Sequence, residues 1–122
     1  MLYTFPAGSQ IIESAYMSLA ITQTQAHINA DTPDVGIGTV IASGVVSVLD
    51  GTATFENILT GVAAANCTGT ATVLTAIPTA AVPLVIGATK TVYANAAFAW
   101  AASGDAAAIL TGTVVINWRT MA

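Results

Sequence analysis

Hydrophobic and polar residues alternate along much of the chain with a period of two, the pattern of β-strands whose two faces meet different surroundings. In the segment 10–22, the more apolar alternating set is Ile11, Glu13, Ala15, Met17, Leu19 and Ile21. The more polar set contains Ser14, Tyr16, Ser18 and Thr22. The clearest strand is 111–119, where Gly112, Val114, Ile116 and Trp118 alternate with Thr113, Val115, Asn117 and Arg119. Both segments are predicted to be long strands with one face turned inward.

Shorter β-branched runs lie between these two segments and are separated by Gly, Pro, Asn and Asp. They cover residues 35–41, 45–49, 52–56, 70–77, 84–86 and 89–93. Asp50-Gly51 predicts a type I′ hairpin turn, whereas the Ala-rich segment from Asn95 tolerates a single helical turn capped by that residue. We predict one all-β domain over residues 1–122, a β-sandwich or jelly-roll-like fold of roughly eight to nine strands with at most one short helical turn.

Charged residues are unusually scarce in this chain. They make up 7% of the 122 residues, with two Lys or Arg and six Asp or Glu, whereas soluble domains average about 25%. Burying an unpaired charge is costly, so a surface almost free of charge is inexpensive to cover with another protein. The composition therefore favours a protein that assembles through large contacts, although a monomer covered by Thr and Ser hydroxyls fits it too.

Several classes of function lack the sequence features that they need. The cations Lys90 and Arg119 are far apart and form no basic cluster for nucleic acid. The longest uncharged stretch, 57–90, is interrupted by Gly and Pro and dense in β-branched residues, which argues against a membrane-spanning helix. The first residues lack the pattern of a secretory signal, so we expect synthesis in a cytoplasm. We predict no nucleic-acid and no membrane partner.

Candidate catalytic and metal-ligating residues are equally few. The chain has one histidine, His27, and one cysteine, Cys67, whereas a zinc site needs at least three protein ligands. No Gly-x-Ser-x-Gly nucleophile motif is present. The Asp and Asn residues of segment 29–34 do not follow the EF-hand pattern and are ordinary turn formers. We predict that the protein is not an enzyme and has no catalytic residue, no metal and no cofactor.

Aromatic residues offer the best candidates for a binding surface. Trp100 lies in the Ala-rich segment, and an exposed Trp is a typical interface anchor. We predict an interface that contains Phe98, Trp100, Lys90 and Arg119, the last of them paired with a carboxylate at its rim. Aromatic rings could instead form a platform for a sugar.

Five stretches carry a resemblance to a known family. They are Tyr3–Gly8, Asp31–Thr39, Thr52–Gly61, Lys90–Asn95 and Gly112–Arg119. Together they resemble the small decoration, or cement, proteins of tailed-bacteriophage capsids. The resemblance implies a β-sandwich or jelly-roll protein, often trimeric, that binds the major capsid protein on the virion surface and strengthens the shell. It implies no catalytic residue.

The alternatives belong to other functional classes. One is a carbohydrate-binding module or adhesin, which should retain a soluble glycan. Another is a tail or baseplate subunit of a phage, which should form rings or bind tube proteins. The patterning and composition discussed above fit each of them, so we keep both beside the decoration protein.

Overall fold

The structure, a computed structural model, describes residues 1–22, 31–42, 49, 54–64, 67–68, 71–72, 84–87, 90–97 and 108–121. Within these residues it contains eight β-strands and no helix. They are β1 (Tyr3–Thr4), β2 (Gln10–Thr22), β3 (Asp34–Gly38), β4 (Leu59–Ala63), β5 (Ala71–Thr72), β6 (Leu84–Ile86), β7 (Thr91–Ala96) and β8 (Ile109–Thr120). The described part of the chain holds no helix of sufficient length and apolarity to span a membrane.

The strands form two antiparallel sheets that pack as a β-sandwich. The first sheet has the order β1-β7-β3-β4. In the second sheet, β2 pairs with β8 along its whole length and also with the two short strands β5 and β6. The predicted all-β, sandwich-like fold is therefore confirmed.

The β2–β8 ribbon is the longest pairing in the molecule. Its register joins Gln10 with Thr120 at one end and Thr22 with Ile109 at the other. Gly112 is required within it, because its φ is +150° and a Cβ there would lie 2.1 Å from the Ser18 carbonyl oxygen. The close approach of the two backbones thus depends on a residue without a side chain.

A β-bulge changes the predicted facing of residues in β2. The register shifts between Ile12 and Ser14, so Glu13 is an extra residue in the bulge. Ile12 is consequently buried and Glu13 exposed, although the simple alternation placed Glu13 with the inward set. The prediction was right from Ala15 onward and wrong for Glu13, because an inserted residue reverses the period-two pattern.

The core lies between the two sheets. Its fully buried large side chains come from both sheets and from the loops beside them: Phe5, Ile12, Met17, Ile21, Val35, Ile37, Leu49, Ile58, Leu59 and Val92. The inward face of β8, with Val114, Ile116 and Trp118, packs against this core and is only partly buried. The space between the sheets is therefore closely packed at its centre and less closely packed next to the inward face of β8.

Some predicted elements differ from the structure. Residues 54–58 form a turn and bends instead of continuing the run predicted over 52–56. The next strand begins at Leu59, where no run was predicted. Asn95 lies in β7 instead of capping a helical turn. The predicted hairpin turn at Asp50-Gly51 falls outside the described residues.

Candidate functional site

A groove beside β8 is the candidate site. It lies between the inward face of β8 and the strands β1 and β7, and its volume is about 430 Å³. We call it the β8 groove, and it is lined by Leu2, Tyr3, Phe5, Leu19, Ala94, Leu110, Gly112, Val114, Ile116 and Trp118. In this lining only Tyr3 and Trp118 have polar side-chain atoms, so the groove can bind apolar groups and offers few hydrogen bonds.

Three aromatic rings form one wall of the groove. The Phe5 ring meets Tyr3 edge-on with centroids 5.4 Å apart and meets Trp118 edge-on at 5.1 Å. The Tyr3 and Trp118 rings are tilted by 38° at 6.3 Å. Edge-to-face pairs at these distances are favourable beyond the area that they bury. Phe5 is buried whereas Tyr3 is exposed, so the wall is fixed at its base and open at its top.

A buried glutamine fixes β8 to the N-terminal segment. The Gln10 side-chain amide donates to the carbonyl oxygens of Pro6 and Gly8 at 3.3 and 2.8 Å, and its Oε1 accepts from Thr120 Oγ1 at 3.0 Å. Gly8 adopts φ +97°, a conformation that favours glycine. These bonds hold the end of β8 beside the aromatic wall, so the groove has a defined shape.

The outward face of the β2–β8 ribbon has little net charge. Arg119 Nε donates to Glu13 Oε1 at 2.9 Å, with side chains 63% and 52% exposed. Asn117 Nδ2 donates to Ser14 Oγ at 2.7 Å. An exposed ion pair contributes about 0–1 kcal/mol of stability, so its main effect here is to neutralise both charges.

The structure brings together only part of the predicted interface. Arg119 is paired with a carboxylate at the end of β8, and its neighbour Trp118 contacts Phe5. Lys90 is exposed just before β7, and its backbone carbonyl accepts a bond from the Phe5 N–H at 3.0 Å. Phe98 and Trp100 lie outside the described residues. The predicted interface role of all four residues stays a prediction.

Asn95 is a structural residue that sequence reasoning assigned wrongly. It is buried, and its Oδ1 accepts from the Ala42 N–H at 2.9 Å while its Nδ2 donates to the carbonyls of Val40 and Phe55 at 2.9 and 2.7 Å. A buried amide with three partners ties two loops to β7. In the sequence, this structural role was indicated only by the position of an Asn within an alternating strand run, without a charged neighbour.

Two ionisable side chains beside the core, those of Glu56 and Cys67, also have structural roles. Glu56 is buried, and its Oε2 accepts from the Gly61 N–H at 2.6 Å. The Cys67 thiol is buried and donates to the Asp31 carbonyl at 3.3 Å. Burial raises the pKa of this thiol, and the nearby Asp31 charge raises it further. Cys67 is thus held in the neutral thiol form, which is the unreactive one.

Comparisons with known proteins and a search for metal-ligating groups add no assignment. No family model, no curated protein and no solved structure matches the chain. Among the described residues, no three His, Cys, Asp or Glu side chains are grouped as a metal site would require. The geometry of the β8 groove and its surroundings is therefore the basis for a functional proposal.

Proposed function

We propose that this chain is a structural virion protein that decorates and stabilises a bacteriophage capsid through contacts with the major capsid protein. The observation that carries the proposal is an apolar, nearly uncharged surface around the β8 groove. Leu2, Tyr3 and Leu110 line this groove and are exposed although their side chains are large and hydrophobic, and Ile109 and Val115 are exposed on the opposite face of β8. Exposed apolar patches of this kind mark sites of protein contact.

The electrostatics of this surface favour a protein partner. The β8 strand carries one charged residue, Arg119, and Glu13 already neutralises it. A partner that covers this surface therefore leaves no unpaired charge without water. The free-energy cost of desolvating charged groups is consequently small. The aromatic wall supplies the type of side chain that contributes most to binding energy in interfaces.

The capsid as the partner comes from the family resemblance, and the fold is compatible with it. The resembling stretch Tyr3–Gly8 forms β1 and the turn after it, Asp31–Thr39 contains β3, and Gly112–Arg119 makes up most of β8. Two of these three stretches line or flank the β8 groove. We propose synthesis in the bacterial cytoplasm followed by binding to the outer surface of the shell.

The test uses particles of the phage whose genome carries the coding sequence. Deleting that sequence should give particles that lack the 12.2 kDa chain and lose their DNA at a lower temperature. Adding the purified protein should restore the wild-type temperature. Particles with the same heat stability and the same protein content after the deletion would contradict the proposal.

A sugar-binding module is the second candidate, because Tyr3 is an exposed aromatic ring beside Trp118. Sugars, however, need several hydrogen-bonding groups around such a ring, and the rest of the β8 groove is aliphatic, glycine or Phe5. Retention of the protein on a glycan array, lost on Tyr3→Ala, would support this function. Ring-shaped particles in electron micrographs of the free protein would instead favour a tail or baseplate subunit.

A further inference from the structure

The outer edge of β8 is a long strand edge on which the described residues place no further strand. Within the described residues, β8 pairs with β2 alone, so one side of its twelve-residue backbone has no strand partner there. Such a row of N–H and C=O groups is a template for a further strand. Natural proteins protect these edges with Pro, Lys, bulges or inward-pointing charges.

None of those protective features lies along the middle of β8. Residues 109–118 include no Pro and no charged side chain, and the register with β2 is regular from Ser14 to Thr22. Val115 is exposed on the outward face at the centre of the strand, where a protective charge would be most effective. We infer that β8 is an interface strand, and that its occupant is β8 of a second copy of this chain, paired antiparallel across a twofold axis.

The distribution of charge favours the antiparallel pair. Arg119 is the one charged residue of β8 and lies near its end. A parallel in-register pair would place the two Arg119 side chains on strands about 4.8 Å apart. In an antiparallel pair centred on Val115 they are eight residues apart, about 27 Å at about 3.4 Å per residue, which exceeds the screening length of about 8 Å in physiological salt.

The alternation of faces restricts the register. Residues directly opposite in an antiparallel pair point to the same face, so the inward residues of one copy must meet inward residues of the other. An axis at Val115 satisfies this condition and places Val114 opposite Ile116 of the second copy. Trp118 then lies opposite Gly112 of the second copy, so the largest inward side chain meets the residue without one.

The same pairing sets the β8 grooves of the two copies side by side. A twofold axis perpendicular to the sheet keeps the inward faces of both copies on the same side, so the two grooves lie next to each other. The partly buried side chains of Val114, Ile116 and Trp118 then gain apolar neighbours from the second copy. This contact is isologous and gives a dimer, whereas the trimer implied by the family resemblance would need two different surfaces in contact.

The experiment compares one substitution at two matched positions. Val115 in β8 is 44% exposed, and Val62 in β4, an edge strand of the other sheet, is 42% exposed. V115K places two positive charges at the axis, whereas V62K adds the same charge away from it. Mass is measured by light scattering during size exclusion, from about 1 to 100 µM protein.

We expect a wild-type mass of two 12.2 kDa chains, a V62K mass that matches it, and a V115K dissociation constant raised at least about 100-fold. Circular dichroism should show the same β-sheet spectrum for all three proteins. As a second measurement, V115C should form an intermolecular disulfide on oxidation and V62C should not, because residues on the axis face each other. A wild-type mass of one or three chains, or a V115K mass equal to wild type, would overturn the inference. Shell binding is measured separately and bears only on the proposed function.

Discussion

Replacing Asn95 with Ala gives the sharpest test of how the loops are held to the sandwich. The substitution removes three hydrogen bonds, to Ala42, Val40 and Phe55, from a side chain that is 3% exposed. Each such bond contributes about 0.5–1.5 kcal/mol, so the free energy of unfolding should fall by about 3 kcal/mol. For a domain of this size the corresponding decrease in Tm is about 12 °C.

Asn117→Ala is the matched control for this substitution. Its side chain is exposed and donates one described hydrogen bond, to Ser14 Oγ, so the expected change is about 0.5 kcal/mol or less. Both variants are unfolded in urea at one fixed protein concentration, because self-association would change the apparent stability. Equal losses for the two variants, or a loss below about 0.5 kcal/mol for Asn95→Ala, would refute the assigned role of Asn95.

Three further predictions follow from the described contacts. G112A should reduce the free energy of unfolding in urea by about 3 kcal/mol or more, since its Cβ would overlap the β2 backbone; an unchanged midpoint would contradict this. The Cys67 thiol is buried, so it should react with a thiol reagent only after unfolding. Because its pKa is raised in the folded state, the free energy of unfolding should fall as pH rises above about 8.5. R119Q should change stability by less than about 1 kcal/mol at neutral pH, because its pair with Glu13 is exposed; a larger loss would show a buried role.

Period-two alternation was sufficient to predict the sandwich and its two long strands. The inward and outward faces of β8 follow directly from the sequence, and β6 matches the predicted run at 84–86. The facing of Glu13 could not be predicted in this way, because a bulge depends on how β2 fits its partner and leaves no local signal. The same holds for Leu59–Ala63, whose strand conformation comes from pairing with β3.

Only the chemical character of the candidate site, and not its geometry, could be predicted from the sequence. Low charge indicated a surface suited to protein contact, and the predicted pairing of Arg119 with a carboxylate is present in the structure. The β8 groove depends on the contact of Tyr3 and Phe5 with Trp118, which lies more than 100 residues further along the sequence in the other sheet. Such a contact is non-local and follows from the sheet topology, which the local alternation of polar and apolar residues does not determine.

The measurement that tests the decoration role most directly is the binding of purified protein to empty capsid shells that lack it. Shells are sedimented after incubation with increasing protein, and the ratio of the 12.2 kDa chain to the major capsid protein is determined in the pellet. The proposed function predicts saturation at a fixed ratio set by the symmetry of the shell, together with a higher shell-opening temperature. A chain that remains in the supernatant at every concentration, and shells that open at an unchanged temperature, would contradict it.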